Sequence, residues 1–254
     1  MAEMSTTMRT SNPNRKFDVG SIKRIGMIYP AAGRSEKEFE ILAPPEVAVH
    51  VTRIKWTKED KQQLLAMENY LADTSLLLAS ARVDLILFNC TTCSLVKGYG
   101  YDRKLIDLIE KTTGIPAMTT ATAAVLALNH LGLRNITLLT AYPQEMNDIE
   151  AQFLNDHGIK TSNVDGAGIT DPFEQYSRDP SFWYQFCIEN YEKSTQGLFL
   201  SCAGIRVADV LQEIEDSLGV PVVASNQAAM WACLSKLGIT SRVEGYGKLL
   251  SEIG

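Results

Sequence analysis

Short aliphatic or β-branched runs alternate with longer amphipathic stretches along the chain beyond residue 20. This alternation is typical of βαβ units, in which helices connect parallel strands. The pattern predicts strands at Ile25–Tyr29, Val47–Ile54, Leu85–Phe88, Ala117–Thr119, Ile136–Thr140, Ile159–Val164, Gly197–Leu200 and Val222–Ala224. It predicts helices at Lys58–Ser80, Tyr101–Thr113, Thr120–Leu131, Pro143–His157, Pro180–Glu192, Arg206–Leu218 and Gln227–Leu237. Five glycines are expected to end helices in the left-handed conformation: Gly114, Gly132, Gly158, Gly219 and Gly238.

The second half of the chain repeats the first. Each half runs from an aliphatic strand into a cysteine, then a helix, a Gly-aliphatic-Pro element, a strand and a second helix. Cys90 and Cys202 lie 112 positions apart (202 − 90), and Gly114 and Gly219 lie 105 apart (219 − 114). The halves therefore match apart from a short insertion in the first, and two similar α/β units are predicted.

Composition narrows the function classes. The 254 residues are 45% hydrophobic and 21% charged, which is ordinary for a globular protein. The net charge of −6, without a dense Lys/Arg run, argues against a nucleic-acid partner. No apolar window is long enough for a membrane span or a secretion signal, so no membrane partner and a cytoplasmic location are expected. Residues 1–20 are predicted to be a flexible arm or an expression remnant.

The cysteines are the strongest candidates for chemistry. Five dispersed cysteines argue against a disulfide framework. Cys90 and Cys202 each follow a predicted strand, where open parallel sheets bind ligands. Two thiols that face one cleft can racemise a carbon acid, one removing a proton and the other returning one. Alternatively, a thiolate adds to an activated double bond, the resulting single bond rotates, and elimination gives the geometric isomer.

Other interpretations of the cysteines compete with catalysis. Free cysteine is among the most buried residue types, and burial is the favoured interpretation for Cys187 and Cys233 within helices. For a pair at equivalent repeat positions, catalysis is favoured instead. Cys90 and Cys93 also have the spacing of a redox or zinc motif, but the second CxxC of a four-sulfur zinc site is missing. The three histidines do not form a ligand set, so no metal is proposed.

Hydroxyl groups surround the first cysteine. The predicted donors of a carboxylate pocket are Thr91, Thr92 and Ser94, together with the backbone amides at the helix starts expected after both cysteines. Each hydroxyl taken singly is equally well explained as a helix cap. Tyr29 and Tyr142 each close a strand before a proline and are candidates to reach the same cleft, although a tyrosine at a strand end more often packs with its hydroxyl in water.

Together these motifs resemble a known family. The segments IGMIYPAAG from Ile25, CTTCS from Cys90, LLTAYP from Leu138, SCAG from Ser201, PVVASNQAAMW from Pro221 and GYGKL from Gly245, with Gly168-Ile169-Thr170, resemble the arylmalonate decarboxylase and maleate cis-trans isomerase branch of the aspartate/glutamate racemase superfamily. The resemblance implies two similar Rossmann-like (flavodoxin-like) domains with four-stranded parallel sheets, related by a pseudo-twofold axis, with the active site between them. We expect these domains at 21–117 plus 226–254 and at 118–225.

The resemblance also implies roles for individual residues. Cys90 and Cys202 correspond to the catalytic cysteines, Thr91, Thr92 and Tyr142 to carboxylate-binding residues, and Pro30 and Ala203 to the wall of the substrate pocket. The decarboxylases have glycine where Cys90 stands, whereas maleate isomerases have asparagine after the first strand, where this chain has Pro30.

The sequence therefore favours a cofactor-independent, two-cysteine isomerase or racemase of a small carboxylate. Isomerisation of maleate to fumarate is the most concrete case, with Cys90 as nucleophile and Cys202 as acid/base partner. An arylmalonate-type decarboxylase that uses Cys202 as proton donor is the first alternative, and a non-catalytic carboxylate-binding protein is the second. A homodimer is expected by family analogy alone.

Overall fold

The computed structural model describes residues 22–34, 36–56 and 61–253, which form two sheets of four parallel strands connected by helices. The predicted fold class is confirmed. The arm predicted at residues 1–20 lies outside the described residues, as does the start of the helix predicted from Lys58. No helix of the described part of the chain is long and apolar enough to cross a membrane.

The two sheets have the same strand order, as the internal repeat predicts. In the first sheet the order is β2-β1-β3-β4, and in the second it is β6-β5-β7-β8. The strand order reverses at β1/β3 and at β5/β7, which are the positions where doubly wound folds bind ligands. The strands are β1 Lys23–Pro30, β2 Val47–Ile54, β3 Leu85–Phe88, β4 Ala117–Thr119, β5 Asn135–Thr140, β6 Lys160–Gly166, β7 Leu198–Ser201 and β8 Val222–Ala224.

Four short helices accompany the seven that the sequence predicts. These helices, α1, α3, α7 and α11, have four to six residues, too few to show a helical hydrophobic period. The helices are α1 Glu36–Ile41, α2 Lys61–Ser80, α3 Thr91–Leu95, α4 Tyr101–Thr113, α5 Thr120–His130, α6 Gln144–Asp156, α7 Pro172–Ser177, α8 Pro180–Asn190, α9 Ala208–Leu218, α10 Ser225–Lys236 and α11 Lys248–Ser251.

The predicted glycine ends of helices are confirmed. Gly114 ends α4 with φ 72°, and Gly219 ends α9 with φ 67°. Each donates its N–H to a carbonyl of the last helical turn, which satisfies one of the acceptors that a helix end leaves open. The three other glycines predicted to end helices also have positive φ.

The extra length of the first half lies mainly beside Cys90. From Cys90 to the start of α4 the chain advances eleven positions, and from Cys202 to the start of α9 it advances six. The added connection forms α3. The two cysteines thus occupy equivalent strand ends but continue into different local structures.

Helices α5 and α10 pack against each other, and each contacts strands of both sheets. Each follows an edge strand directly, α5 after β4 and α10 after β8. Their buried surfaces are rich in alanine, including Ala123, Ala127, Ala228 and Ala232, and small side chains allow two helices to approach closely. One apolar cluster therefore contains residues of both halves. The domain boundaries predicted after residues 117 and 225 fall within β4 and at the start of α10, and the domain limits stay a prediction.

The buried centre of the second sheet contributes to the free energy of unfolding of the protein. We expect Leu200→Ala to lower the free energy of unfolding by about 2–5 kcal/mol, because Leu200 of β7 is completely buried and its removal leaves a cavity. Urea unfolding measures the change. The matched control is Leu77→Ala on the exposed surface of α2, for which a change of less than about 0.5 kcal/mol is expected. Equal effects at the two positions would contradict the burial assigned to β7.

Candidate active site

A cavity, partly open to solvent, lies at the carboxyl ends of strands from both sheets. Its walls include residues that follow β1, β3, β5 and β7, the strands at which the order reverses. All seven residues predicted for the site line this one cavity: Pro30, Cys90, Thr91, Thr92, Tyr142, Cys202 and Ala203. The structure therefore brings together residues separated by up to 173 positions in the sequence (203 − 30).

The two cysteines enter the cavity from different sheets. Cys90 follows β3 with an extended backbone (φ −148°, ψ 107°) and occupies the position before the first turn of α3. Cys202 follows β7. Each is only 5% exposed, and neither forms a disulfide. A small molecule bound in the cavity would have a thiol from each half of the protein beside it.

The expectation that both cysteines precede a helix start is wrong for Cys202. Helix α9 begins only at Ala208, and the sulfur of Cys202 instead accepts a hydrogen bond from the backbone N–H of Gly204 at 3.2 Å. The helix begins later than the predicted Arg206 because the buried carboxylate of Glu38 accepts hydrogen bonds from the N–H groups of Val207 and Ala208. This cap comes from a distant segment, so no local sequence signal predicts it.

One hydroxyl joins the two cysteine loops. The Oγ of Ser225 accepts a hydrogen bond from the hydroxyl of Thr91 at 3.2 Å and another from the backbone N–H of Cys202 at 3.1 Å. Thr91 directly follows Cys90, so both cysteine loops are tied to the first residue of α10. All three residues are buried, where hydrogen bonds compete little with water.

A second group of buried polar side chains lies beside Ser225. The amide nitrogen of Asn226 donates to the carbonyl of Ala203 at 3.2 Å and to Oε2 of Glu38 at 3.1 Å, while its oxygen accepts from Asn89 at 3.1 Å. The hydroxyl of Tyr29 donates to the same Ala203 carbonyl at 3.0 Å. These bonds fix the loop after Cys202 against elements of the first sheet.

Glu38 is a buried carboxyl group in this network. Burial raises the pKa of Glu38 from 4.5 to about 7, although the N–H groups of Val207 and Ala208 and the Asn226 amide act in the opposite direction. A carboxyl group with a pKa in this range changes charge near neutral pH. The charge of the network therefore depends on pH, and Glu38 is a residue that the sequence alone did not single out.

Neutral groups form the donors of the cavity. No Lys or Arg side chain lines it within the described ranges. The hydroxyl of Thr92 lies 3.9 Å from the sulfur of Cys90. The hydroxyl of Thr91 already donates to Ser225, so the donor that Thr91 has left for a ligand is its backbone N–H in the first turn of α3. Ser94 is not a donor to the cavity, because its hydroxyl donates to the carbonyls of Cys90 and Thr91.

Trp56 and Gly33 also line the cavity. Trp56 is 4% exposed, and its indole N–H has no acceptor in the part of the chain that the structure describes. Gly33 packs on the ring of Tyr29 so closely that a Cβ would lie 2.5 Å from a ring carbon. Arg53 donates to the carbonyls of Pro30 and Gly33 and holds this loop in place. The IGMIYPAAG motif contains the loop, but its spacing does not reveal these contacts.

Gln175 also lines the cavity and was not predicted. It lies on α7, a helix too short to be recognised from its pattern, and its side-chain oxygen is 3.6 Å from the sulfur of Cys202. The remaining cysteines are not in the cavity wall. Cys93 is buried with its thiol donating to the carbonyl of Leu64, and burial raises the pKa of Cys187 and of Cys233 well above the usual range.

Comparison with known proteins agrees with this geometry. The sequence model of the family described as arylmalonate decarboxylase matches residues 25–250. The arylmalonate decarboxylase of Bordetella bronchiseptica is 31% identical over 165 residues, 64% of this chain and 69% of its own. The maleate isomerase of Geobacillus stearothermophilus is 24% identical over 90% of this chain and 97% of its own.

Solved structures show the same fold. A cysteine-to-alanine variant of the maleate isomerase Iso from Pseudomonas putida S16, crystallised with maleate, superposes with a TM-score of 0.85 at 23% identity, covering 91% of this chain and 98% of its own. The fold and the site thus define an α/β enzyme of the aspartate/glutamate racemase superfamily, in the branch that includes isomerases and decarboxylases. Within that branch, the chain belongs to the arylmalonate decarboxylase family. The family prediction is confirmed.

The raised pKa of Glu38 predicts a specific pH dependence of stability. Between pH 4.5 and about 7 the folded protein holds a proton on Glu38 that the unfolded chain has lost. The stability linked to this proton is therefore full below pH 4.5 and is lost as the pH rises through about 7. Relative to Glu38→Gln, the wild type should lose about 3 kcal/mol of unfolding free energy over this window. Urea unfolding of both proteins across the window measures the difference, and a constant difference would contradict the raised pKa.

Proposed function

We propose that this protein is a cofactor-independent isomerase or racemase of a small carboxylate, with conversion of maleate to fumarate as the most concrete reaction. One observation carries the proposal: two thiols outside any disulfide, from equivalent strand ends of the two sheets, line one cavity with neutral hydrogen-bond donors. A one-cysteine mechanism does not require Cys90 at this position. The maleate isomerases among the relatives support the choice of maleate.

In the isomerase mechanism, Cys90 is the nucleophile. Its thiolate adds to one alkene carbon of maleate, and the electron pair of the double bond moves to the neighbouring carbon and its carboxylate. Cys202 supplies a proton to that carbon and later removes one. Rotation about the single bond and loss of the Cys90 thiolate then give fumarate and restore the double bond. A racemase would use the same thiols without the addition step, one removing the α-proton and the other returning a proton to the opposite face.

Carboxylate binding is assigned to the neutral donors. Thr91, Thr92 and Tyr142 line the cavity. In this proposal Thr92, Tyr142 and the backbone N–H groups at the start of α3 stabilise negative charge as it moves onto a carboxylate oxygen. The indole N–H of Trp56 is a further donor in the same wall, since a buried donor is costly unless an acceptor reaches it. Pro30 and Ala203 shape the pocket.

Decarboxylation of a substituted malonate is the second candidate, and membership of the arylmalonate decarboxylase family favours it. The C–C bond to one carboxylate breaks, carbon dioxide leaves, and its bonding electrons remain as an enediolate held by the same donors. Cys202 then donates a proton to the carbon. This reaction needs one thiol, so the two candidates differ in their dependence on Cys90.

The cellular location of the enzyme is also part of the proposal. Five free cysteines suit a reducing compartment, and we place the enzyme in the cytoplasm. The expected homodimer and the independence of a cofactor stay predictions.

Removing each thiol tests the proposal. Purified protein is incubated in D2O with maleate, a 2-substituted malonate and chiral amino and hydroxy acids, and products are followed by proton NMR. Fumarate formation, or deuterium at an α-carbon, should be lost by at least about 10³-fold in both Cys90→Ala and Cys202→Ala, because neither thiol can replace the other. Cys93→Ala is the matched control and should retain the activity, since Cys93 does not line the cavity.

Loss of carbon dioxide from the malonate that persists in Cys90→Ala but not in Cys202→Ala would establish the decarboxylase instead. Isomerisation that survives in either single variant would refute the two-thiol mechanism.

A further inference from the structure

The orientation of the Gln175 side chain is fixed by its neighbours. Its Nε2 lies 3.1 Å from the carbonyl oxygen of Ile169, which only accepts hydrogen bonds, so the amide nitrogen must face that carbonyl. The amide oxygen then faces the sulfur of Cys202 at 3.6 Å. Gln175 is 2% exposed, and this orientation is therefore not averaged by solvent.

An amide oxygen also only accepts hydrogen bonds. The sulfur of Cys202 must carry a hydrogen for this contact to be favourable, and that hydrogen points at Gln175. On another side, the sulfur accepts from the N–H of Gly204 at 3.2 Å. The approach is close, since a Cβ at Gly204 would lie 3.1 Å from the oxygen of Gln175 and 3.4 Å from the sulfur.

The helix that carries Gln175 is anchored to the loop after Cys202. Arg206, four residues beyond Cys202, donates from Nε to the carbonyl of Tyr176 at 2.9 Å and from its terminal nitrogen to the carbonyl of Arg178 at 3.2 Å. Asp171 caps the first turn of α7 by accepting from the N–H of Phe173 at 2.9 Å. The distance between Gln175 and Cys202 is thus held by bonds at both ends of α7.

We propose that Gln175 is a positioning residue that keeps Cys202 as the protonated, proton-donating thiol of the pair, a role that rests on the proposed function. Within the described residues Cys90 has no comparable fixed acceptor: its sulfur lies 3.9 Å from the hydroxyl of Thr92, which can donate as well as accept. The two thiols are therefore not equivalent in the resting enzyme. Cys90 is left to act as nucleophile or base, and Cys202 as acid.

The same contact affects the proton after transfer. When Cys202 protonates the substrate carbon, the S–H bond breaks, a C–H bond forms, and the electron pair remains on sulfur. The new thiolate keeps the donor from Gly204, but it faces the negative end of the Gln175 amide dipole. This opposition favours return of a proton to Cys202 and resets the site for the next turnover.

Alkylation of individual cysteines tests the inference without any substrate. The full-length protein reacts with iodoacetamide, and peptide mass spectrometry gives the rate at Cys202 relative to Cys90. Gln175→Met has a similar length but lacks the acceptor, so the relative rate at Cys202 should rise about threefold as the thiolate becomes more accessible. Gln175→Glu places a negative charge beside the sulfur, so the relative rate should fall about threefold.

Loosened packing would raise the relative alkylation rate at Cys202 in both variants. A rise in Gln175→Met together with a fall in Gln175→Glu therefore indicates the hydrogen bond. An unchanged ratio, or a change of the same sign in both variants, would overturn the inference. Cys187 and Cys233 are completely buried, so alkylation at either of them reports a loss of folding. If Gln175→Met is alkylated at Cys187 or Cys233, Gln175→Leu takes its place. Because no turnover is measured, failure of the proposed reaction would leave this result intact.

Discussion

The hydrogen bonds to the hydroxyl of Ser225 determine how the site is assembled. Because this one oxygen accepts from Thr91 and from the N–H of Cys202, the loops that carry the two thiols cannot move apart without leaving buried polar groups unpaired. Ser225 is the first residue of α10, which packs on α5 between the sheets. The helix contact that joins the halves of the protein therefore also sets the relative position of the two cysteines.

Buried polar groups around this hydroxyl make the junction specific. Asn226 and Tyr29 converge on the carbonyl of Ala203, and Glu38 caps the start of α9 from the other half of the chain. Apolar packing of alanines alone would tolerate small shifts of one helix along the other. Directional hydrogen bonds remove that freedom, and they leave the cavity wall with neutral donors suited to a carboxylate.

Much of the fold followed from local patterns, because strand length, alternation and helix-ending glycines such as Gly114 are properties of neighbouring residues. The internal repeat singled out Cys90 and Cys202, because each follows a strand at the same place in its half of the chain. Contacts between distant segments were not predictable in this way: the Glu38 cap joins residues about 170 positions apart, and Gln175 reaches Cys202 from a six-residue helix. The late start of α9 and the hydrogen bond that occupies the Thr91 hydroxyl are consequences of such contacts. The Ser94 hydroxyl is instead occupied by carbonyls three and four residues before it in the same short helix turn.

Cys90 and Cys202 line one small cavity, and cross-linking of their thiols tests this arrangement most directly. A bifunctional alkylating reagent no longer than a small dicarboxylate, such as 1,3-dibromoacetone, is added to the folded protein, and linked peptides are identified by mass spectrometry. We expect a bridge between Cys90 and Cys202, formed more slowly when a carboxylate is bound, with Cys187 and Cys233 unmodified. Separate labelling of the two cysteines without a bridge would contradict it.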